Sequence, residues 1–188
     1  MDHSLFKKIN SEWANSFFDS TMPYLRNAMI WIPLYLFLLV FLLMNFRKNS
    51  IWWIVFFIST IALTDIVGTY ILKHSFERVR PCNNPDFLSQ LRLLARCPVG
   101  YGFTSNHAAN HFGMATFFFI SFRHLLKIWT WLIFLWAAAI AYAQVYVGVH
   151  YPFDILGGML LGLAAGYFTG TLFTKQFGFT IFDNQLVS

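Results

Sequence analysis

Residues 150–174 read HYPFDILGGMLLGLAAGYFTGTLFT. From Phe153 onward this is a nearly unbroken apolar run of about 20 residues, the length a helix needs to cross the hydrocarbon core of a bilayer. Its ionisable residues gather at the start. His150 and Asp154 flank Pro152, a residue suited to the first turn of a helix. An imidazole and a carboxylate are costly to keep at the lip of a membrane, which marks both as functional candidates. Further along, Gly158, Gly162, Gly166 and Gly170 recur at every fourth position. This smooth stripe lets another helix backbone approach closely. It fits packing inside a monomer, or the face of a weak homodimer.

Working outward, four more apolar runs lie at about 27–46, 51–72, 107–122 and 128–147, with the last run at about 153–174. The chain is 57% hydrophobic and 11% charged, well below the roughly 25% charge of soluble domains. Such a chain cannot cover a globule with polar surface. The expected fold is an all-α integral membrane protein, a bundle of about five transmembrane helices. Residues 4–20 place Leu5, Ile9, Trp13 and Phe17 at helical spacing. This predicts an N-terminal amphipathic helix lying in the membrane interface, ended near Pro23. No repeat or low-complexity segment divides the chain, so residues 1–188 form a single domain. No cleavable signal peptide is evident, since the first apolar run starts late and follows mixed charge. The formal charge of +5 sits at membrane edges and in one loop. That favours membrane lipids and phosphate as partners over nucleic acid.

Two further polar stretches share one side of the bilayer with His150. Lys73 and Arg80 enclose six residues, and Pro81 follows. A guanidinium offers a planar fork to phosphate oxygens and an ammonium a movable point charge. Read alone, such a pair also fits cations snorkelling to the membrane surface. The second stretch, Thr104-Ser105-Asn106-His107, leads into the third apolar run. Its residues are good helix N-caps, and N–H groups at a helix start attract anions. A plain cap with a partnered histidine is the structural alternative. In the third stretch, a carboxylate on one nitrogen of His150 would fix the tautomer and leave the other nitrogen free to attack. Asp65, inside the second run, reads as a supporting residue that pairs with a cation or a polar side chain in the bundle. His111, one turn after His107, reads as lining the pocket rather than as half of a metal site.

Taken together, the three stretches resemble the type 2 phosphatidic acid phosphatases, membrane relatives of the vanadium haloperoxidases. That family's pattern is Lys, six residues, Arg-Pro; then Pro-Ser-Gly-His; then Ser-Arg, five residues, His, three residues, Asp. Lys73, Arg80 and Pro81 match the first part in full. Ser105 and His107 match the second, with Thr104 and Asn106 in place of Pro and Gly. His150 and Asp154 match the third, with Ala143 and Gln144 in place of Ser-Arg. The resemblance implies that His150 becomes a phosphohistidine, Asp154 orients it, and His107 protonates the leaving oxygen. It further implies that Lys73, Arg80, Ser105 and the backbone of Asn106 hold the phosphoryl oxygens, without metal or cofactor. Gln144 departs from a phosphate-binding arginine. It can still offer an amide donor, and Arg78, Arg92 or Arg96 could take over the charge.

The function expected from this resemblance is hydrolysis of a lipid phosphate or diphosphate, with undecaprenyl diphosphate as the leading substrate. Phosphatidylglycerophosphate, phosphatidic acid and lipid A 1-phosphate are the alternatives. A phospholipid-binding relative that has lost catalysis is a further reading, and a transporter or scramblase a third. Polar residues clustered at one rim argue against the transporter, which would spread them through the bilayer.

Location follows from the charges. Arg47, Lys48, Arg123, Lys127 and Lys175 share one side, and the other eight Lys and Arg the opposite side. Five of those eight lie in the 73–106 loop, where a phosphate site would require them whatever the orientation. Setting them aside places the loop outside by the positive-inside rule. The expected location is a bacterial inner membrane with the site facing the periplasm or exterior. Cys82 and Cys97, both in that loop, would then lie where a disulfide can form.

Overall fold

The computed structural model describes residues 1–179, without the side chains of residues 47 and 48. Among these residues, four stretches are long and apolar enough to cross a bilayer: Ala28–Phe46, Asn49–Phe76, Asn106–Tyr146 and Pro152–Gln176. The third is 41 residues long and folds back on itself. Helix α5 (Asn106–Leu126) is followed by a 3₁₀ turn, Lys127–Trp131, and then α6 (Leu132–Tyr146). Lys127 has a positive φ of 51°. Phe119 meets both Trp131 and Phe134, and Ala108 and Ala115 share a cluster with Ala137 and Ala141. The pair is therefore an antiparallel hairpin, and the helices supply the five passages that the sequence predicts.

The first two predicted passages lie on one helical element. A 3₁₀ turn, Ala28–Trp31, leads into α3 (Ile32–Ile66). Between Pro33 and Gly68 the chain contains neither proline nor glycine, so nothing in its chemistry forces the helical backbone to stop. A π-helical turn, Val67–Leu72, and the short α4 (Lys73–Phe76) complete the second passage. Leu38 and Leu42 from the first half pack in the same apolar cluster as Trp53, Phe56 and Phe57 from the second.

Helix α7 (Pro152–Gln176) runs parallel to α5 in a fixed register. A methyl group added at Gly158, Gly162 or Gly166 would lie 2.4, 2.3 or 2.4 Å from the carbonyl oxygens of Ser105, Ala109 and Gly113 respectively. The glycine stripe thus lies backbone to backbone against α5 within the chain. The second half of α3 is antiparallel to both, with Thr60 bonded to Thr169 at 2.7 Å and Phe56 against Phe173.

The N-terminal segment corrects the sequence reading. The single amphipathic helix expected over 4–20 is broken into α1 (Asp2–Lys7), a π-helical turn at Lys8–Glu12, and α2 (Ser16–Leu25). Of the expected stripe, Leu5, Trp13 and Phe17 are exposed, as a face toward the membrane interface would be, whereas Ile9 is buried with Phe6 and Asn10. The reason is polar. The Asn10 amide donates to the carbonyls of Arg92 and Tyr146 at 2.8 Å each and accepts from the Arg92 N–H. Asn15 then restarts the helix as an N-cap, accepting from the Phe18 N–H. Pro23 lies within α2, which ends two residues later.

Candidate active site

The start of α7 fixes the carboxylate. Tyr151 is extended, Pro152 opens the helix, and Asp154 reaches back to accept the Tyr151 N–H at 2.9 Å, an N-terminal capping arrangement. The same oxygen, Oδ2, lies 3.4 Å from Nδ1 of His150. The other, Oδ1, accepts from Arg78 at 2.8 Å. Asp154 is fully buried and His150 nearly so.

Arg80 closes the other side of the imidazole. Its Nε donates to the Gly100 carbonyl at 3.0 Å, and one terminal nitrogen lies 3.3 Å from the Val149 carbonyl and 2.9 Å from His150 Nε2. An arginine is always a donor, so Nε2 must be the acceptor and Nδ1 carries the proton toward Asp154. The Nε2 lone pair therefore points at Arg80. Burial pulls the His150 pKa down to about 4. The Asp154 carboxylate opposes this, while the charges of Arg80 and Lys73 reinforce it. The imidazole is neutral near pH 7, as a nucleophile must be. Lys73 is half-buried at the start of α4.

The start of α5 is welded to that of α7. The Ser105 N–H donates to the Asp154 carbonyl at 3.0 Å, and the buried Ser105 hydroxyl caps α5 by accepting the Ala108 N–H. The Asn106 side chain turns away, donating to Asp65 at 2.9 Å and Thr69 at 2.8 Å. Asn110 donates to the same Asp65 oxygen at 3.1 Å. Asp65 therefore orients the first turn of α5 from below, in the supporting place that its sequence position suggested. His107 is half-buried beside a cavity. His111 packs edge-on against Trp136 and points Nδ1 at the His107 carbonyl, 2.8 Å away.

The remaining predicted residues land differently. Arg78 does not face an open pocket. It bridges Asp154 and Asp2 and lies over the Tyr151 ring, 4.4 Å from its centroid. Burial works against its charge, but the two carboxylates outweigh this and raise its pKa. Gln144 is fully buried, and neither side-chain atom has a partner. Arg92 is engaged elsewhere, with Asp19 at 2.6 Å, and Arg96 is exposed. Cys82 and Cys97 are joined. Sequence reasoning missed Asp2, which accepts from Arg78 and caps the Phe153 N–H at 3.0 Å. It also missed Arg26, which lines the cavity beside His107.

With this geometry in place, comparisons with known proteins become informative. Residues 52–177 match the model of the PAP2 superfamily. A lipid A 4'-phosphatase of Bacteroides thetaiotaomicron is 35% identical over 155 residues, covering 80% of this chain and 68% of that protein. An undecaprenyl-diphosphatase of Sulfolobus acidocaldarius is 32% identical over 135 residues, covering 71% of this chain and 58% of that protein. Among solved structures, LpxE of Aquifex aeolicus superposes with a TM-score of 0.68 at 29% identity, covering 89% of this chain and 93% of that one. This chain belongs to the PAP2 superfamily and is a multi-pass membrane phosphatase of that family.

Proposed function

We propose that the protein removes phosphate from a membrane lipid through a covalent phosphohistidine at His150. The observation that carries this reading is the orientation of one ring: Nδ1 toward Asp154, and Nε2 accepting from Arg80 at 2.9 Å. In the first step Nε2 attacks phosphorus, the bond to the leaving oxygen breaks, and His107 gives that oxygen its proton. In the second, water attacks phosphorus, His107 takes a proton from it, and the nitrogen–phosphorus bond breaks to release inorganic phosphate. Arg80, Lys73, the Ser105 hydroxyl and the Asn106 backbone N–H hold the phosphoryl oxygens. Phosphoryl transfer draws mainly on this kind of positioning and charge stabilisation. No step calls on a metal or cofactor.

The substrate enters from the bilayer, because the site sits where α5 and α7 begin, at the rim of the apolar helices. Undecaprenyl diphosphate remains the leading substrate. A lipid A phosphate is the second reading, favoured by the Bacteroides relative. The site faces the periplasm or exterior of a bacterial inner membrane, a placement supported by the Cys82–Cys97 bridge in the same loop. The test is phosphate release by purified protein from a panel of lipid phosphates and diphosphates. Wild type releases phosphate from at least one lipid, His150→Ala from none, and orthovanadate inhibits. A wild-type protein silent on the whole panel overturns the reading.

A further inference from the structure

A cavity of about 320 Å³ opens beside the site, lined by Pro23, Arg26, Asn27, Ala28 and His107. Its walls come from the end of α2 and the start of the first passage on one side, and the first turn of α5 on the other. Arg26 is the cation in it, and it is half-buried. Among the described residues its guanidinium has no hydrogen-bond or ion-pair partner. The other arginines nearby are all engaged: Arg78 by Asp2 and Asp154, Arg80 by two carbonyls and His150, Arg92 by Asp19. A charge withdrawn from water without a counter-charge is costly, and an arginine cannot discard its proton to escape the cost. A half-buried guanidinium facing this cavity suits an anionic ligand group. Burial lowers the Arg26 pKa. Arg26 shares the cavity wall with His107, in the first turn of α5, whose N-cap Ser105 lies in the site.

We propose that Arg26 binds a second phosphate of the substrate, on the leaving-group side of the scissile bond, and so selects lipid diphosphates over lipid monophosphates. The side is set by His107. It shares the cavity with Arg26, whereas Arg80 contacts His150 itself. In a lipid diphosphate the oxygen that departs belongs to a second phosphate, which carries charge into the cavity as the bond breaks. Asn27 spends its side-chain oxygen on the Met29 N–H, which leaves its amide NH₂ as a further donor at the cavity wall. The inference rests on His107 acting as the acid of the proposed reaction.

Farnesyl diphosphate and farnesyl monophosphate isolate the effect, because they differ only in the leaving-side phosphate. The ratio of kcat/KM for the diphosphate over the monophosphate is measured for wild type, Arg26→Gln and Arg26→Lys. Losing one charge-assisted contact lowers that ratio roughly ten- to hundredfold in Arg26→Gln, and Arg26→Lys recovers part of it. A ratio within threefold of wild type in Arg26→Gln overturns the inference and makes Arg26 an interfacial anchor only. An equal fall on both substrates, with weaker orthovanadate inhibition, also overturns it by placing Arg26 on the scissile phosphoryl group. A wild type inactive on both substrates and on the lipid panel contradicts the phosphatase reading itself, a separate result.

Discussion

Arg78 donates to Asp154 Oδ1 at 2.8 Å while the other oxygen of the same carboxylate faces His150 Nδ1 at 3.4 Å. The loop arginine thus stands behind the carboxylate that faces the His150 ring. Its second arm grips Asp2, whose other oxygen caps the start of α7. The relay Asp2, Arg78, Asp154, His150 joins the first helix, the long loop and the last helix at one point.

This relay predicts an ordered set of losses. Asp154→Asn keeps the cap and volume but removes the charge that holds the Nδ1 proton in place, so kcat falls by up to roughly 10⁴-fold. Arg78→Lys keeps one charge but cannot span two carboxylates. It lowers kcat by a smaller factor, and the double variant with Asp154→Asn loses little more than Asp154→Asn alone. Steady-state kinetics of the three variants checks this. Additive losses would show that Arg78 acts elsewhere.

If His107 is the acid, its importance depends on the leaving group. His107→Gln should slow hydrolysis of a lipid phosphate by roughly 10²–10⁴-fold. p-Nitrophenyl phosphate expels a stable phenolate that needs little protonation, so formation of the covalent intermediate from it should slow far less. Burst kinetics with both substrates measures the difference. Equal slowing of that first step would remove His107 from the acid role.

Acid sensitivity follows from His150. Its pKa is lowered from 6.5 to about 4, chiefly by burial, so the nucleophile stays neutral through most of that interval. The acid limb of kcat/KM that belongs to His150 should lie near pH 4. Lys73→Met removes one of the opposing charges and should move that limb upward. The same shift carries a stability cost with a definite sign. Below about pH 6.5 the unfolded chain takes up a proton at this position that the folded chain does not, so stability declines as pH drops toward 4. Profiles measured with p-nitrophenyl phosphate, alongside thermal unfolding in detergent, test both statements.

The parallel contact of α5 and α7 predicts graded sensitivity along the glycine stripe. A methyl at Gly162 would come within 2.3 Å of a backbone oxygen, whereas at Gly170 its nearest neighbour is a side-chain carbon of Ile120 at 3.1 Å. Gly162→Ala should destabilise by about 1–3 kcal/mol, as overpacking does, and Gly170→Ala by clearly less. Thermal unfolding of the two variants in detergent measures the contrast.

Much of this architecture is readable before any coordinates. The passages are legible because hydrocarbon demands long apolar runs. Lys73, Arg80, His107, His150 and Asp154 stand out because ionisable residues at a membrane rim are expensive. What escapes the sequence is pairing across long separations. Nothing local tells Asp2 that it meets Arg78, or Asn10 that it sits beneath Tyr146 and Arg92. The N-terminal misreading has the same origin. The periodicity of Leu5, Ile9, Trp13 and Phe17 describes one continuous helix face, but Asn10, held by buried hydrogen bonds, anchors its turn inward together with Ile9, and the helix breaks there. Arg26 escaped because the cavity it shares with His107 is made by packing between residues far apart in the chain, which no local pattern reveals.

The central claim is that phosphate passes through Nε2 of His150, and it can be tested by trapping. The protein is mixed with p-nitrophenyl phosphate, quenched in alkali, where phosphohistidine survives, and its peptides are sequenced by mass spectrometry. The account predicts a phosphoryl group on the imidazole of His150, more abundant in His107→Gln because the water step loses its base. Turnover with no modified His150, or a phosphoryl group found on His107 instead, would contradict it.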